Sequence, residues 1–200
     1  MVVRHGDGKM SVEEYFKLRE NDPDHRYEYI DGEVYMMGGG TVRHSRAALN
    51  LMYMLESALR GGPCIVYDSD ACFQVAEERC VCPDVTVSCD PHDNDENSEE
   101  GEEDLKIIRS PRFVAEVHSP STKGFDLDEK LTLYQDHPSI QEFLYISTTK
   151  PKVRIYRRES NNRWIIYILN LEDEVELTSL GVRFPVTELY KGTRFAKRLK

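Results

Sequence analysis

Residues 112–122 read RFVAEVHSPST. Phe113, Val114 and Ala115 have the character of a buried strand, and the run then meets Glu116. A carboxylate in that setting loses its hydration, so it must neutralise or find a partner. A similar arrangement stands upstream in CPDVTVSC, residues 82–89, where Asp84 is followed by Val85 and Val87. Pro83 has no amide hydrogen, which places it at the beginning, edge or bulge of that strand. If the two strands are neighbours, their carboxylates converge at one sheet position. Two anions that close repel unless one takes a proton or a cation lies between them. Oxygen ligands of this kind suit Mg²⁺ or Mn²⁺, so the partner expected for Glu116 is a divalent metal. Lys130, beside the apolar stripe Leu127, Leu131 and Tyr134, is the candidate cation to orient a nucleophile or neutralise charge.

Outward from this centre the pattern reads as α+β or α/β around a mixed sheet. SVEEYFKLRE, 11–20, is a short helix with Ser11 as N-cap and Glu14 completing a capping box. YEYIDGEVYMM alternates around Asp31-Gly32, a hairpin turn dipeptide. A helix capped by Ser45 runs to Arg60 with Ala48, Leu51, Met52, Leu55 and Leu59 at helical spacing, and Gly61-Gly62 ends it. Strands are expected at 64–68, 71–75, around 81–89 and 112–118. A helix at 127–135 follows, then strands at 142–147, 152–158 and 163–170. LTSLGVRFPVTELY reads as a closing strand and a final helical turn. With no repeat and no dividing linker, the 200 residues read as a single domain.

The net charge of −10 belongs mainly to one segment. Nine acids and no Lys or Arg lie between Asp90 and Asp104, and the rest of the chain carries only −1. That leaves room for an anionic substrate at a local site. The acidic loop, about 90–106, reads as a solvated insertion and KGTRFAKRLK as a basic tail. No run approaches the roughly 18 apolar residues of a membrane span. The N-terminal stretch does not resemble a secretory signal. The five cysteines read as reduced thiols in or near the core of a cytoplasmic protein. Cys80 and Cys82 share a strand face, but no second pair has the spacing of a zinc site.

Several motifs together carry a family resemblance: MSVEEYFKL, YEYIDGEVYMM, VRHS, YDSD, PDVTV, AEVHSPST, EKLTLY and QEFLYI. In this order they resemble the Uma family of restriction-endonuclease-like proteins within the PD-(D/E)XK nuclease superfamily, from about Ser11 to Tyr190. The resemblance implies a restriction-endonuclease-like core with an extra N-terminal hairpin, and Mg²⁺-dependent hydrolysis of DNA. It implies Asp84 and Glu116 as metal ligands, and adds Glu33 and His44 to the site. His118 stands where the superfamily motif has lysine, which makes it a candidate third ligand; the lysine is displaced to the next helix as Lys130. A homodimer is compatible with cutting both strands of a duplex.

Each candidate has a plain structural alternative. Asp84 and Glu116 are compatible with salt bridges, Lys130 with a solvated helix lysine or a pair with Asp126, Glu33 with an exposed turn residue, and His44 with a capping role. Lys152, Arg154, Arg157, Arg158 and Arg163 suit either phosphate contact or solvated edge strands. Against the DNA endonuclease stand a catalytically silent nuclease fold serving as a binding or assembly module, and a metal-binding regulator whose acidic loop docks a basic partner.

Overall fold

Ser11 opens the first helix as its chemistry dictates. Its hydroxyl accepts from the Glu14 amide at 3.2 Å, and the Glu14 carboxylate accepts from the Ser11 amide at 2.8 Å. The structure, a computed structural model, describes residues 2–3, 9–38, 40–93, 107–118 and 127–196. The segment 94–106, the SPST motif, Asp126 and the last four residues of the basic tail lie outside these.

Helix α1 is Val12–Asn21. The short strand β1, Val2–Val3, pairs with β3, Glu33–Met36, which forms a hairpin with β2, Tyr27–Ile30. At the turn Asp31 and Gly32 have φ of 50° and 88°, the left-handed pair that the Asp-Gly dipeptide permits. Beyond α2, Val42–Leu59, come β4, Ile65–Asp68, β5, Cys72–Ala76, β6, Arg79–Val81, and β7, Val85–Ser88. Then follow β8, Ile107–Ile108, β9, Pro111–His118, α3, Leu127–Asp136, and β10, Glu142–Ser147. The chain continues through β11, Val153–Arg158, β12, Trp164–Leu169, β13, Glu174–Leu177, β14, Val182–Pro185, and α4, Val186–Leu189.

The strands form two six-stranded sheets, ordered β1-β3-β2-β6-β5-β8 and β12-β11-β10-β9-β7-β4, with β13 and β14 as a separate hairpin. The β9–β10 pair is parallel, bridged by α3. One face of the second sheet packs Val85, Val87, Phe113, Ala115 and Val117 against Ala47, Leu51 and Leu55 of α2 and against the closing hairpin. The opposite face packs Val114, Phe143 and Tyr156 against Leu133 and Tyr134 of α3 and against Ile30, Phe73 and Val81 of the first sheet. The α+β architecture anticipated from the sequence is therefore present, with the site face lying between the sheets.

Several expectations are corrected. α2 starts at Val42, because the Thr41 hydroxyl accepts from the His44 amide and caps the helix four residues ahead of the expected Ser45 cap. The strand foreseen at 81–89 is two strands in different sheets, divided at Pro83. The acidic segment is not wholly solvated: Asp93 is buried and accepts from the Ser88 hydroxyl and from the amides of Arg109 and Ser110, so it clasps both ends of that segment. Four of the five cysteines are not reduced thiols. Cys64–Cys89 and Cys72–Cys82 are disulfides and Cys80 is free and buried. The registers explain why: Ile65 opposes Ser88 and Phe73 opposes Val81, so each bonded pair sits one step along its ladder, directly cross-strand. Their Cα–Cα separations are 4.0 and 4.1 Å.

Candidate functional site

The crossing between sheets at Cys82-Pro83-Asp84 sets the site. Val85 pairs with Ala115 in the antiparallel β7–β9 ladder, so Asp84, one step back, falls opposite Glu116. Directly opposed residues of such a pair share a sheet face. The two carboxylates therefore meet on the α3 side, and Asp84 Oδ2 also accepts from the Val117 amide at 2.7 Å.

Lys130 enters from α3. Its Nζ donates to Glu116 Oε1 at 3.0 Å and lies 2.7 Å from Glu28 Oε1. Tyr134, one helical turn further on, donates its hydroxyl to the same Glu116 oxygen at 2.5 Å. Glu28 was not among the residues singled out in the sequence. It lies on β2, fully buried, and its Oε1 also accepts from the Cys82 amide, while its Oε2 is buried without a hydrogen-bond partner. The available signal was a carboxylate inside YEYI, an apolar strand setting like that of Glu116.

His44 reaches the cluster from the first turn of α2, with Nε2 3.1 Å from Asp84 Oδ2. A Cβ at Gly40 would stand 2.6 Å from His44 Nδ1, so the glycine is what admits the imidazole. Glu33 accepts from the Tyr35 hydroxyl at 2.7 Å, and Tyr35 stands opposite Glu28 on the hairpin. His118, two residues beyond Glu116 and on its face, sets its ring against Tyr145. Among the described residues no three His, Cys, Asp or Glu side chains form a ready cation cage.

Burial pushes the Glu116 carboxyl up to about 7 against the pull of Lys130, and the charges of Asp84 and Glu28 add to the rise. Burial disfavours the Lys130 ammonium, yet Glu116 and Glu28 outweigh it and hold its pKa above the ordinary lysine value. Burial likewise opposes the His44 imidazolium, but the hydrogen bond to Asp84 and the charges of Asp84 and Glu116 raise it. When ionised, three carboxylates face one ammonium and one imidazole. That excess of negative charge, together with the orphaned Glu28 oxygen, fits a hard divalent cation.

Cations border the same end of the second sheet. Arg43 donates to the Thr148 carbonyl, and Lys150 and Lys152 are exposed on the β10–β11 turn. Arg154, also exposed, lies over the Tyr145 ring, next in the row that runs from Asp84 through Glu116. Arg157 and Arg158 have structural partners instead: Arg157 binds buried Glu142, and Arg158 binds the carbonyls of Gln135, His137 and Ile140.

A family model for Uma2, described as "Putative restriction endonuclease", matches residues 12–187. Two uncharacterized proteins of Synechocystis sp. are similar. One is 35% identical over 188 residues, covering 94% of each chain, and the other 27% identical over 175 residues, covering 86% of this chain and 95% of its own. A crystal structure of a "putative nuclease belonging to DUF820" from Anabaena variabilis superposes with a TM-score of 0.71 at 17% identity. That match covers 90% of this chain and 97% of the other, a likeness that shows the fold.

Proposed function

This chain belongs to the Uma2 family of restriction-endonuclease-like proteins, and from that premise we propose that it is a metal-dependent nuclease hydrolysing DNA phosphodiester bonds. The observation that carries this reading is the opposition of Asp84 and Glu116 on one sheet face, with Lys130 bound to Glu116. Asp84 and Glu116 would hold Mg²⁺ or Mn²⁺, with Glu28 beside them. Such an ion supplies an activated water and stabilises charge building on a phosphoryl oxygen.

The protein's own groups have distinct parts in this reading. Lys130, held as an ammonium, neutralises charge and positions; it is not the group that accepts a proton. His44 fixes Asp84 Oδ2 and, with its raised pKa, can carry a proton at Nε2. Tyr134 holds Glu116 in place from α3. Glu33 acts at one remove through Tyr35, and His118 borders the site through Tyr145. Arg43, Lys150, Lys152 and Arg154 offer a basic margin to a phosphate backbone. Duplex cleavage needs two hydrolytic events, so a pair of copies belongs to this reading.

One observation favours the silent binding module: Lys130 already spans two of the three carboxylates, as a structural ion network does. Calorimetric titration with Mn²⁺ of the natural protein and of Asp84→Ala, with plasmid and single-stranded DNA cleavage assayed in parallel, separates the two. The nuclease gives a binding isotherm and metal-dependent cleavage, both lost in Asp84→Ala. Mn²⁺ binding without cleavage across a broad nucleic-acid panel assigns the silent module. Absence of both binding and cleavage rules out a metal site of this kind.

A further inference from the structure

The second sheet ends on β12, and that edge is unusual. Its sequence, WIIYIL, has no charge, proline or glycine, and it keeps one register with β11 over six residue pairs without a bulge. Ile165, Ile166, Tyr167 and Ile168 are 42, 53, 37 and 59% exposed, so the strand shows apolar side chains on both faces. Natural edges are ordinarily guarded by a charge, a proline or a bulge, because their open backbone groups recruit another strand. This edge has none of those guards.

The hydrogen-bond phase shows which groups are open. The Glu159 amide donates to the Arg163 carbonyl, which makes these two a hydrogen-bonded pair. Bonded pairs alternate along an antiparallel ladder, so Arg157/Ile165, Ile155/Tyr167 and Val153/Leu169 are the bonded ones. The Arg158 amide agrees, since it donates the other way, to Gln141. Trp164, Ile166 and Ile168 therefore turn their amides and carbonyls outward.

We propose that β12 pairs antiparallel with β12 of a second copy of this chain, about a two-fold axis at Ile166, joining the two sheets into one. That axis sets Ile166 opposite its own copy and Trp164 opposite Ile168, so every outward group of the three residues meets a complement. Charge does not set the direction, because Arg163 precedes the strand and Glu172 follows it, but Lys152, just before β11, and Arg154 of β11 border that same end. The backbone phase does: in a parallel ladder each residue bonds to the two neighbours of the residue opposite, so two-fold-related parallel copies would have their outward groups out of step. A single strand pair is a narrow interface, at the low end for specific association, so the dimer forms in the micromolar range. The proposal rests on the strand edge alone and not on the nuclease reading, so each can fail without the other.

Sedimentation equilibrium from about 1 to about 200 µM tests it, with hydrogen exchange read at the same concentrations. The mass should rise from 23.2 kDa toward twice that value, and the Trp164, Ile166 and Ile168 amides should become slower to exchange as it does. Ile166→Pro removes only an outward amide, and Ile168→Lys places a guard on the edge; each should restore the protomer mass. Because the wild-type exchange measurement needs no variant to fold, it stands if a substitution damages the strand. A constant protomer mass, a dimer that persists in both folded variants, or exchange at these amides that ignores concentration overturns the proposal. Slow exchange in a monomer would assign the edge to a segment of the same chain.

Discussion

Lys130 is shared by Glu28 and Glu116, while Asp84 and His44 lie alongside, and the arithmetic of these charges makes the members unequal. Removing the ammonium leaves buried carboxylates facing each other, and breaking a buried pair from one side costs about 3–5 kcal/mol. Glu28→Gln keeps an oxygen for the Cys82 amide, leaves Lys130 on Glu116 and removes one negative charge from the excess. Urea unfolding in metal-free buffer should accordingly show Lys130→Met losing about 3 kcal/mol or more and Glu28→Gln less than about 1.5 kcal/mol. Equal losses would refute the charge excess on which the cation reading depends. Gly40 makes a second point at this scale. An added methyl meets His44 at 2.6 Å, so Gly40→Ala turns the imidazole away from Asp84 without entering the core. Orienting partners of a metal ligand are worth about 10–100-fold in affinity, and Mn²⁺ titration of Gly40→Ala should show a loss of that order with an unchanged melting temperature.

The reach of Lys130 depends on how α3 is held. A helix leaves its last carbonyls unpaired, and Arg158 of β11 binds those of Gln135 and His137 at 2.9 and 2.7 Å and that of Ile140 at 2.8 Å. His137 packs edge-on against Phe73, and burial, with the nearby Arg158 charge, lowers its pKa. A lowered histidine value means the unfolded chain binds the proton more readily. Its contribution is therefore complete above about pH 6.5, is lost as pH falls through the folded value, and is level below it. The urea midpoint difference between wild type and His137→Gln should shrink on going from pH 7.5 to pH 5; a difference that stays constant would show that burial does not bias this histidine. At this scale much was legible in the sequence. β10 matches its expected bounds, and Leu131 and Tyr134 pack inward as helical spacing requires, though the Leu127 side chain lies outside the described residues. The opposition of Asp84 and Glu116 was also foreseen, from two apolar runs each interrupted by an acid. β13 was not, because EVEL is short and its charges alternate with only two buried residues. Glu28 and Asp93 escaped notice because what distinguishes them is a partner in another part of the chain. Strand register, not local pattern, decides such partners.

At the scale of the molecule, the two sheets are separate ladders joined at the Cys82-Pro83-Asp84 crossing, and each has its own staple. Cys64–Cys89 ties the residue just before β4 to the residue just past β7 in the second sheet, and Cys72–Cys82 ties the first residue of β5 to the residue just past β6 in the first. They close sequence separations of 25 and 10 residues, for which chain entropy gives about 3 kcal/mol each. A thiol assay on denatured, unreduced protein should find one thiol per chain, Cys80, and five after reduction; five in both would refute the pairing. Reduction of both should lower the melting temperature by roughly 12–24 °C, given about 2–4 °C per kcal/mol at this size. The two staples differ in what they support beyond stability. The Cys82 amide donates to Glu28, so the staple in the first sheet holds part of the acid cluster, whereas Cys64–Cys89 lies at the far end of the second sheet's outermost pair. Cys72→Ser should therefore weaken Mn²⁺ binding more than Cys64→Ser at equal loss of stability, read by titration well below both melting temperatures. Equal weakening in the two variants would mean that the crossing is held by the packing between the sheets and not by its disulfide.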